Sequence, residues 1–111
     1  MIAIVDYRVG NLASVRKALE HLNANCVVTS DPAIVRSAKK IILPGVGHFS
    51  STRMIEELGL TPAIREAVNA GRPFLGICVG MQWMFTGSSE SPETRGLALF
   101  SGECSRFSAD V

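Results

Sequence analysis

The stretch "PFLGICVGMQ", residues 73–82, joins an apolar run to a segment with helical spacing. Residues 73–77 have the apolar character of a buried strand, and residues 78–85 have the pattern of a helix that starts at Cys78. Gly76 and Gly80 stand two positions before and two positions after this cysteine. Because glycine tolerates close backbone approaches, the stretch predicts a strand that turns sharply into a helix, with Cys78 at the turn.

The chain around this stretch alternates short apolar runs with segments of helical periodicity. Asn11 and Asp31 are predicted helix N-caps, and Pro32 suits the first position of a helix. The predicted strands cover residues 2–6, 26–30, 40–44 and 73–77, and the predicted helices cover residues 11–23, a short segment from Asp31, a segment within 49–58, and a segment from Thr61 to Gly71. This alternation predicts an α/β fold, with an open, mostly parallel sheet and helices on both faces.

The region after the predicted turn has a different composition. Residues 86–96, "TGSSESPETRG", are polar and predict a loop. Residues 97–107 predict one or two further strands, arranged like a hairpin around Ser101–Gly102. The sequence contains no internal repeat, so we expect a single domain over residues 1–111.

Composition narrows the class of function. Hydrophobic residues make up 47% and charged residues 19% of the 111 residues, which is typical of a globular protein. The net charge is +1 and the charges are spread along the chain, so we expect neither a nucleic-acid partner nor an anionic membrane surface. No apolar stretch approaches the ~20 residues that a membrane-spanning helix needs.

The N-terminus and the cysteines indicate a compartment. The first residues, "MIAIVDYRVGN", have neither the cationic lead nor the cleavage site of a signal peptide. Cys26, Cys78 and Cys104 are odd in number and far apart, and no Cys or His cluster has the spacing of a zinc site. We therefore expect free thiols in a cytoplasmic protein, with no metal and no cofactor.

Three predicted loops with unusual composition follow the ends of strands. They are "DYRVGN" at residues 6–11, "PGVG" at 44–47 and "GICVG" at 76–80. In open parallel sheets, ligands bind beyond the carboxyl ends of the strands. The three loops should therefore share one rim of the sheet, which becomes the candidate site.

The spacing Gly76-x-Cys78-x-Gly80 is typical of a nucleophile elbow. Side chains in place of the two glycines would collide across the turn, and the cysteine would sit at a helix N-terminus, where free N–H groups favour an anion. The N–H of Val79 would then face an oxyanion on an attacked carbonyl. The same five residues are also compatible with a small buried residue in a tight turn.

Taken together, the three loops resemble a known family. "GICVGMQ" (76–82) resembles the nucleophile motif of class I (triad-type) glutamine amidotransferases, which have a flavodoxin-like fold, and "LPGVGHF" (43–49) resembles their oxyanion loop. "DYRVGN" (6–11) resembles one branch, the glutaminase subunit of imidazole glycerol phosphate synthase. The resemblance covers essentially the whole chain.

The resemblance implies a role for each matching residue. Cys78 would attack the side-chain amide of glutamine and form a thioester. Gln82 and Gly47 would help to hold the glutamine. The oxyanion donors would come from the backbone of Val79, Gly45, Val46 and Gly47.

The family also uses a His-x-Glu pair as base and orienting group, and this sequence contains no such pair. The chain therefore resembles the N-terminal half of an amidotransferase domain that is incomplete at its C-terminus, and we expect residues 1–111 alone to be inactive. Absent strands would leave an exposed apolar sheet edge. A direct pair of Cys78 with His48, which follows the oxyanion loop, is an alternative source of a base.

The implied partner is a cyclase subunit, in a heterodimer that receives ammonia from glutamine and closes an imidazole ring in histidine biosynthesis. One alternative is an amidotransferase subunit for another acceptor, such as a nucleotide or an anthranilate precursor. Another alternative is a non-catalytic α/β module that serves in binding or assembly.

Overall fold

The computed structural model describes residues 1–108. The strands are β1 (Ile2–Val5), β2 (Cys26–Thr29), β3 (Lys40–Leu43), β4 (Phe74–Gly76), β5 (Gly87–Ser88) and β6 (Glu103–Cys104). The helices are α1 (Leu12–His21), α2 (Pro32–Ser37), α3 (Arg53–Glu57), α4 (Leu60–Asn69) and α5 (Val79–Gln82), with a 3₁₀ helix at Phe49–Thr52 before α3.

The main sheet has four parallel strands in the order β2-β1-β3-β4. The chain moves one way across the sheet from β1 to β2, and the other way from β2 to β3 and on to β4. Because crossovers between parallel strands are right-handed, this reversal places α1 on one face and α2 and α4 on the other. The predicted α/β fold, with a parallel sheet and helices on both faces, is confirmed.

Both predicted N-caps are present at the start of the first two helices. The Asn11 side chain accepts a hydrogen bond from the Ser14 N–H, and the Asp31 side chain accepts one from the Ala33 N–H. Pro32 occupies the first turn of α2, where it needs no hydrogen-bond partner for its nitrogen. These local signals therefore set the start of each helix, as the sequence predicts.

One face of the sheet carries the core. Val5, Ile41 and Leu43 project from this face, and they pack with Val35 of α2 and Ile64 of α4. All five side chains are almost completely buried. Burial of a side chain of this size contributes about 1.5–3 kcal/mol, so this layer holds β1 and β3 in fixed positions beneath the rim.

The opposite face is only partly covered. α1 packs on β1 and β2, but it contains no fully buried residue, and Leu22 just beyond its end is 72% exposed. On β4, at the edge of the four-stranded sheet, Leu75 is 54% exposed. Within residues 1–108, β4 is thus an edge strand that carries an exposed apolar side chain on this partly covered face. The exposed apolar edge expected from absent strands stays a prediction.

The predictions for residues 86–107 were wrong in part. Gly87–Ser88 form β5, which pairs in parallel with Glu103–Cys104, so the region is neither a plain loop nor a hairpin around Ser101–Gly102. The paired strands have two residues each, which is too short for any alternation of apolar and polar residues to show in the sequence. α5 also ends at Gln82, before the predicted end of that helix.

Arg8 has a left-handed backbone with φ +70°, and its N–H donates to Asp6 Oδ1. This conformation costs a non-glycine residue about 1–2 kcal/mol. We expect Arg8→Gly to raise the free energy of unfolding by about 0.5–1 kcal/mol, since glycine relieves this strain but adds freedom to the unfolded chain.

Thermal unfolding of the variant and the unmodified chain checks this prediction. Lys17→Gly on exposed α1 is the control and should instead lower the melting temperature, and an equal fall for Arg8→Gly would contradict the account.

Candidate active site

Cys78 lies between β4 and α5 in the conformation that the glycine spacing predicts. Its φ is +57° and its ψ is −117°, a strained combination for a residue with a side chain. Cys78 is exposed, while Val79 at the start of α5 and Trp83 just after its end are buried in the core. The buried pair anchors the turn, so the cysteine is presented at the rim from a rigid support.

The flanking glycines are required by close backbone contacts. A Cβ on Gly76 would lie 2.7 Å from the Gly80 carbonyl oxygen, which confirms the predicted collision across the turn. A Cβ on Gly80 would instead run into the Leu43 carbonyl oxygen of β3. The second glycine is therefore needed because the helix packs directly on the neighbouring strand, and not because of the turn itself.

The loop after β3 lies against this elbow. A Cβ on Gly45 would lie 2.8 Å from the Gly80 nitrogen and 3.0 Å from Val79 Cβ. Just before the loop, the Leu43 carbonyl accepts a hydrogen bond of 3.0 Å from the Ile77 N–H. The structure thus brings together the two segments that the sequence placed on one rim.

Backbone donors at this junction are not used by other backbone groups. Within residues 1–108, the N–H groups of Gly45, Val46, Gly47 and Val79 donate to no backbone carbonyl. Val46 is 51% exposed, and Gly47 has φ +86°. Successive N–H groups of this kind next to a nucleophile can bind a negatively charged oxygen. The oxyanion role of these four residues remains a prediction.

His48 serves as a cap of the following 3₁₀ helix. Its Nδ1 accepts a hydrogen bond of 3.1 Å from the Ser50 N–H and lies 2.8 Å from Ser50 Oγ. Its Nε2 lies 3.9 Å from Glu90 Oε1. Both ring nitrogens of His48 therefore have neighbours other than Cys78. This geometry does not favour the alternative in which His48 is the base for Cys78.

Gln82, the predicted substrate-binding residue, lines a cavity of about 140 Å³. The other lining residues are Ser88, Ser89, Glu90, Cys104, Ser105 and Arg106. Glu90 Oε1 also accepts a hydrogen bond of 2.6 Å from the Phe49 N–H, which ties the cavity to the end of the oxyanion loop. Glu90 was not predicted as a site residue, because a single acidic residue in a polar loop carries no distinguishing signal.

Tyr7 is a second residue that the sequence analysis missed. Its side chain is fully buried, and its hydroxyl has no hydrogen-bond partner among residues 1–108. Burial raises the pKa of Tyr7 to about 12, and the charge of the nearby Cys78 adds to this rise. Nothing in the stretch "DYRVGN" indicates that the Tyr7 hydroxyl lies beside the elbow, because Tyr7 and Cys78 are far apart along the chain.

The described residues provide neither a metal site nor a membrane-spanning helix. Within residues 1–108, no three side chains of His, Cys, Asp or Glu converge in a way that could hold a metal ion. No helix in the described part of the chain combines the length and apolar character needed to cross a bilayer.

Comparison with known proteins places this chain in a family. Residues 3–95 match the family described as glutamine amidotransferase class-I. The chain belongs to this family. A solved structure described as a glutamine amidotransferase superposes with a TM-score of 0.81 over 95% of this chain and 56% of that chain. At 20% sequence identity, this likeness shows the shared fold.

Two curated relatives share one description. The chain is 49% identical over 111 residues to the imidazole glycerol phosphate synthase subunit HisH of Methanopyrus kandleri, covering 99% of this chain and 55% of that protein. It is 50% identical over 108 residues to the protein of the same description in Thermococcus kodakarensis, covering 96% of this chain and 52% of the relative. The chain therefore spans about half the length of the curated relatives that it matches.

The contact of Gly80 with β3 gives a stability prediction. We expect Gly80→Ala to lower the free energy of unfolding by about 2–3 kcal/mol, since the new methyl group would displace the Leu43 carbonyl. Gly87→Ala is the matched control, because a Cβ there meets only the Thr94 carbonyl oxygen at 3.4 Å. Urea unfolding compares the two variants, and equal midpoints would show that helix α5 does not pack on β3 as described.

Exposure of the thiols gives a labelling prediction. Cys78 is exposed, Cys26 and Cys104 are half-buried, and burial together with Glu103 raises the pKa of the Cys104 thiol. Iodoacetamide should therefore alkylate Cys78 first, because alkylation needs both access and thiolate. Peptide mass spectrometry after brief labelling checks this. Equal labelling of all three cysteines, with unfolded chain as reference, would mean that the elbow is not formed.

Proposed function

We propose that this chain is the N-terminal half of a glutaminase subunit of the imidazole glycerol phosphate synthase type, with Cys78 as nucleophile. The observation that carries the proposal is the strained, exposed Cys78 beside backbone N–H groups that no carbonyl in the described chain occupies. The relatives described as HisH subunits support the branch.

The geometry suits acyl transfer. The Cys78 thiolate attacks the side-chain amide carbon of glutamine, and the carbonyl oxygen becomes an oxyanion near the N–H groups of Val79, Val46 and Gly47. Collapse of this intermediate breaks the C–N bond, and the leaving nitrogen takes a proton to depart as ammonia. Water then hydrolyses the thioester to glutamate and restores the thiol. The histidine that would transfer these protons belongs to the His-x-Glu pair that the 111 residues do not contain.

The cavity beside Gln82 suits the other end of glutamine. Its lining residues include Glu90, Arg106 and Ser88. A carboxylate complements the α-amino group of an amino acid, and a guanidinium complements its α-carboxylate. On this basis we assign Gln82 to substrate binding, with Glu90 as an added contact. The assignment of Gly47 to substrate binding rests on the resemblance of its loop to the family motif.

Ammonia released at the rim would pass to a cyclase subunit in a heterodimer. The HisH description of the relatives supports this partner, since they are subunits of a synthase. Three free cysteines in the described chain suit the reducing cytoplasm. A glutaminase subunit of the imidazole glycerol phosphate synthase type should be activated by its cyclase. A subunit for another acceptor should instead be activated by a synthase that acts on a nucleotide or on an anthranilate precursor.

An ammonia-release assay tests the proposal. We expect no steady-state turnover of glutamine by residues 1–111, because leaving-group protonation and deacylation lack a catalyst. The full-length protein with its cyclase should turn over, and Cys78→Ala should lower its kcat by at least about 1,000-fold.

His48→Ala provides the control. In the full-length complex this variant should keep most of the activity, since the ring caps the 3₁₀ helix at Phe49–Thr52. Robust turnover by residues 1–111 that His48→Ala abolishes would contradict the proposal, because His48 would then be the base.

A further inference from the structure

The Tyr7 hydroxyl is a buried hydrogen-bonding group that the structure leaves unused. Among residues 1–108 it is the buried side-chain polar atom without a partner. Nearly all buried polar groups in folded proteins are hydrogen-bonded, and an unpaired one costs free energy. A hydroxyl kept in this position is therefore available to a partner that another state of the protein would supply.

The surroundings of the hydroxyl indicate that partner. A Cβ built on Gly45 would press directly on the hydroxyl oxygen, so the oxygen lies immediately beside the backbone of the oxyanion loop. Tyr7 is fully buried, whereas Val46 and Cys78 are exposed. The hydroxyl thus lies on the inner side of the loop, and the nucleophile lies on the outer rim.

We propose that Tyr7 is a positioning residue whose hydroxyl donates to the Gly45 carbonyl in the state that reacts with glutamine. The inference rests on the proposed function. In a trans peptide the carbonyl and the following N–H point in opposite directions. A Gly45 carbonyl drawn inward to Tyr7 therefore turns the Val46 N–H outward, to the rim where the oxyanion forms.

The protonation state of Tyr7 is compatible with this role. Because the pKa of Tyr7 is raised to about 12, the hydroxyl keeps its proton throughout the neutral range. It can then donate to a carbonyl at any pH at which a glutaminase works. In the structure described here the Tyr7 hydroxyl makes no hydrogen bond, so it is free to donate one to the Gly45 carbonyl.

Tyr7→Phe in the full-length protein with its cyclase tests the inference, because it removes only the hydroxyl. We expect kcat for glutamine to fall about tenfold, which corresponds to about 1.4 kcal/mol of barrier, with KM changed less than about twofold. The melting temperature of the free protein should not fall, because the substitution breaks no hydrogen bond and removes a buried hydroxyl that has no partner. The rate at which iodoacetamide alkylates Cys78 should be unchanged, because that reaction forms no oxyanion.

Val35→Ala is the matched core control, since Val35 is equally buried but belongs to α2. It should lower the melting temperature and leave kcat unchanged. A Tyr7→Phe protein with wild-type kcat would overturn the inference, as would a loss of kcat that comes with a matching loss of stability. Wild-type complex without glutaminase activity would overturn the proposed function, and the inference with it.

Discussion

The structure depends on one backbone contact, in which Gly80 of α5 lies directly on the Leu43 carbonyl of β3. No side chain fits between them, so the helix after β4 approaches the neighbouring strand more closely than other residues permit. This approach places the elbow beside the loop that continues from β3. The positions of Cys78 and of the candidate oxyanion donors depend on this approach, together with the absence of a Cβ at Gly76 and Gly45.

The contact also explains how strain is held at Cys78. A non-glycine residue with positive φ costs about 1–3 kcal/mol and persists where the surrounding structure overdetermines it. Here the restraint comes from Val79 and Trp83, which are buried in the same cluster as Leu43. The buried core beneath the rim thus offsets the strain at Cys78.

Sequence reasoning succeeded where local chemistry decides structure. Asn11 and Asp31 cap their helices because a side-chain oxygen can reach an unpaired N–H from those positions, whatever the rest of the fold does. The elbow was predictable for a similar reason at Gly76, which meets the Gly80 carbonyl across the turn. The contact of Gly80 with Leu43 of β3 was not predicted. The four apolar runs in the sequence likewise predicted the four strands of the main sheet.

Sequence reasoning failed where distant residues decide structure. β5 and β6 owe their existence to pairing across fifteen or so residues, and two-residue strands leave no periodicity to read. Glu90 joins the site through the Phe49 N–H, and Tyr7 through the backbone of Gly45. Neither neighbour is close in sequence, so only the folded chain reveals these contacts.

The central claim is that Cys78 carries the glutamyl group during the reaction. The most direct measurement is rapid acid quenching of the full-length protein and its cyclase during turnover of excess glutamine, followed by peptide mass mapping. The account predicts a mass increase of one glutamyl group on the peptide that contains Cys78, removed by hydroxylamine as a thioester would be. Steady glutamine hydrolysis with the adduct on another residue would contradict it.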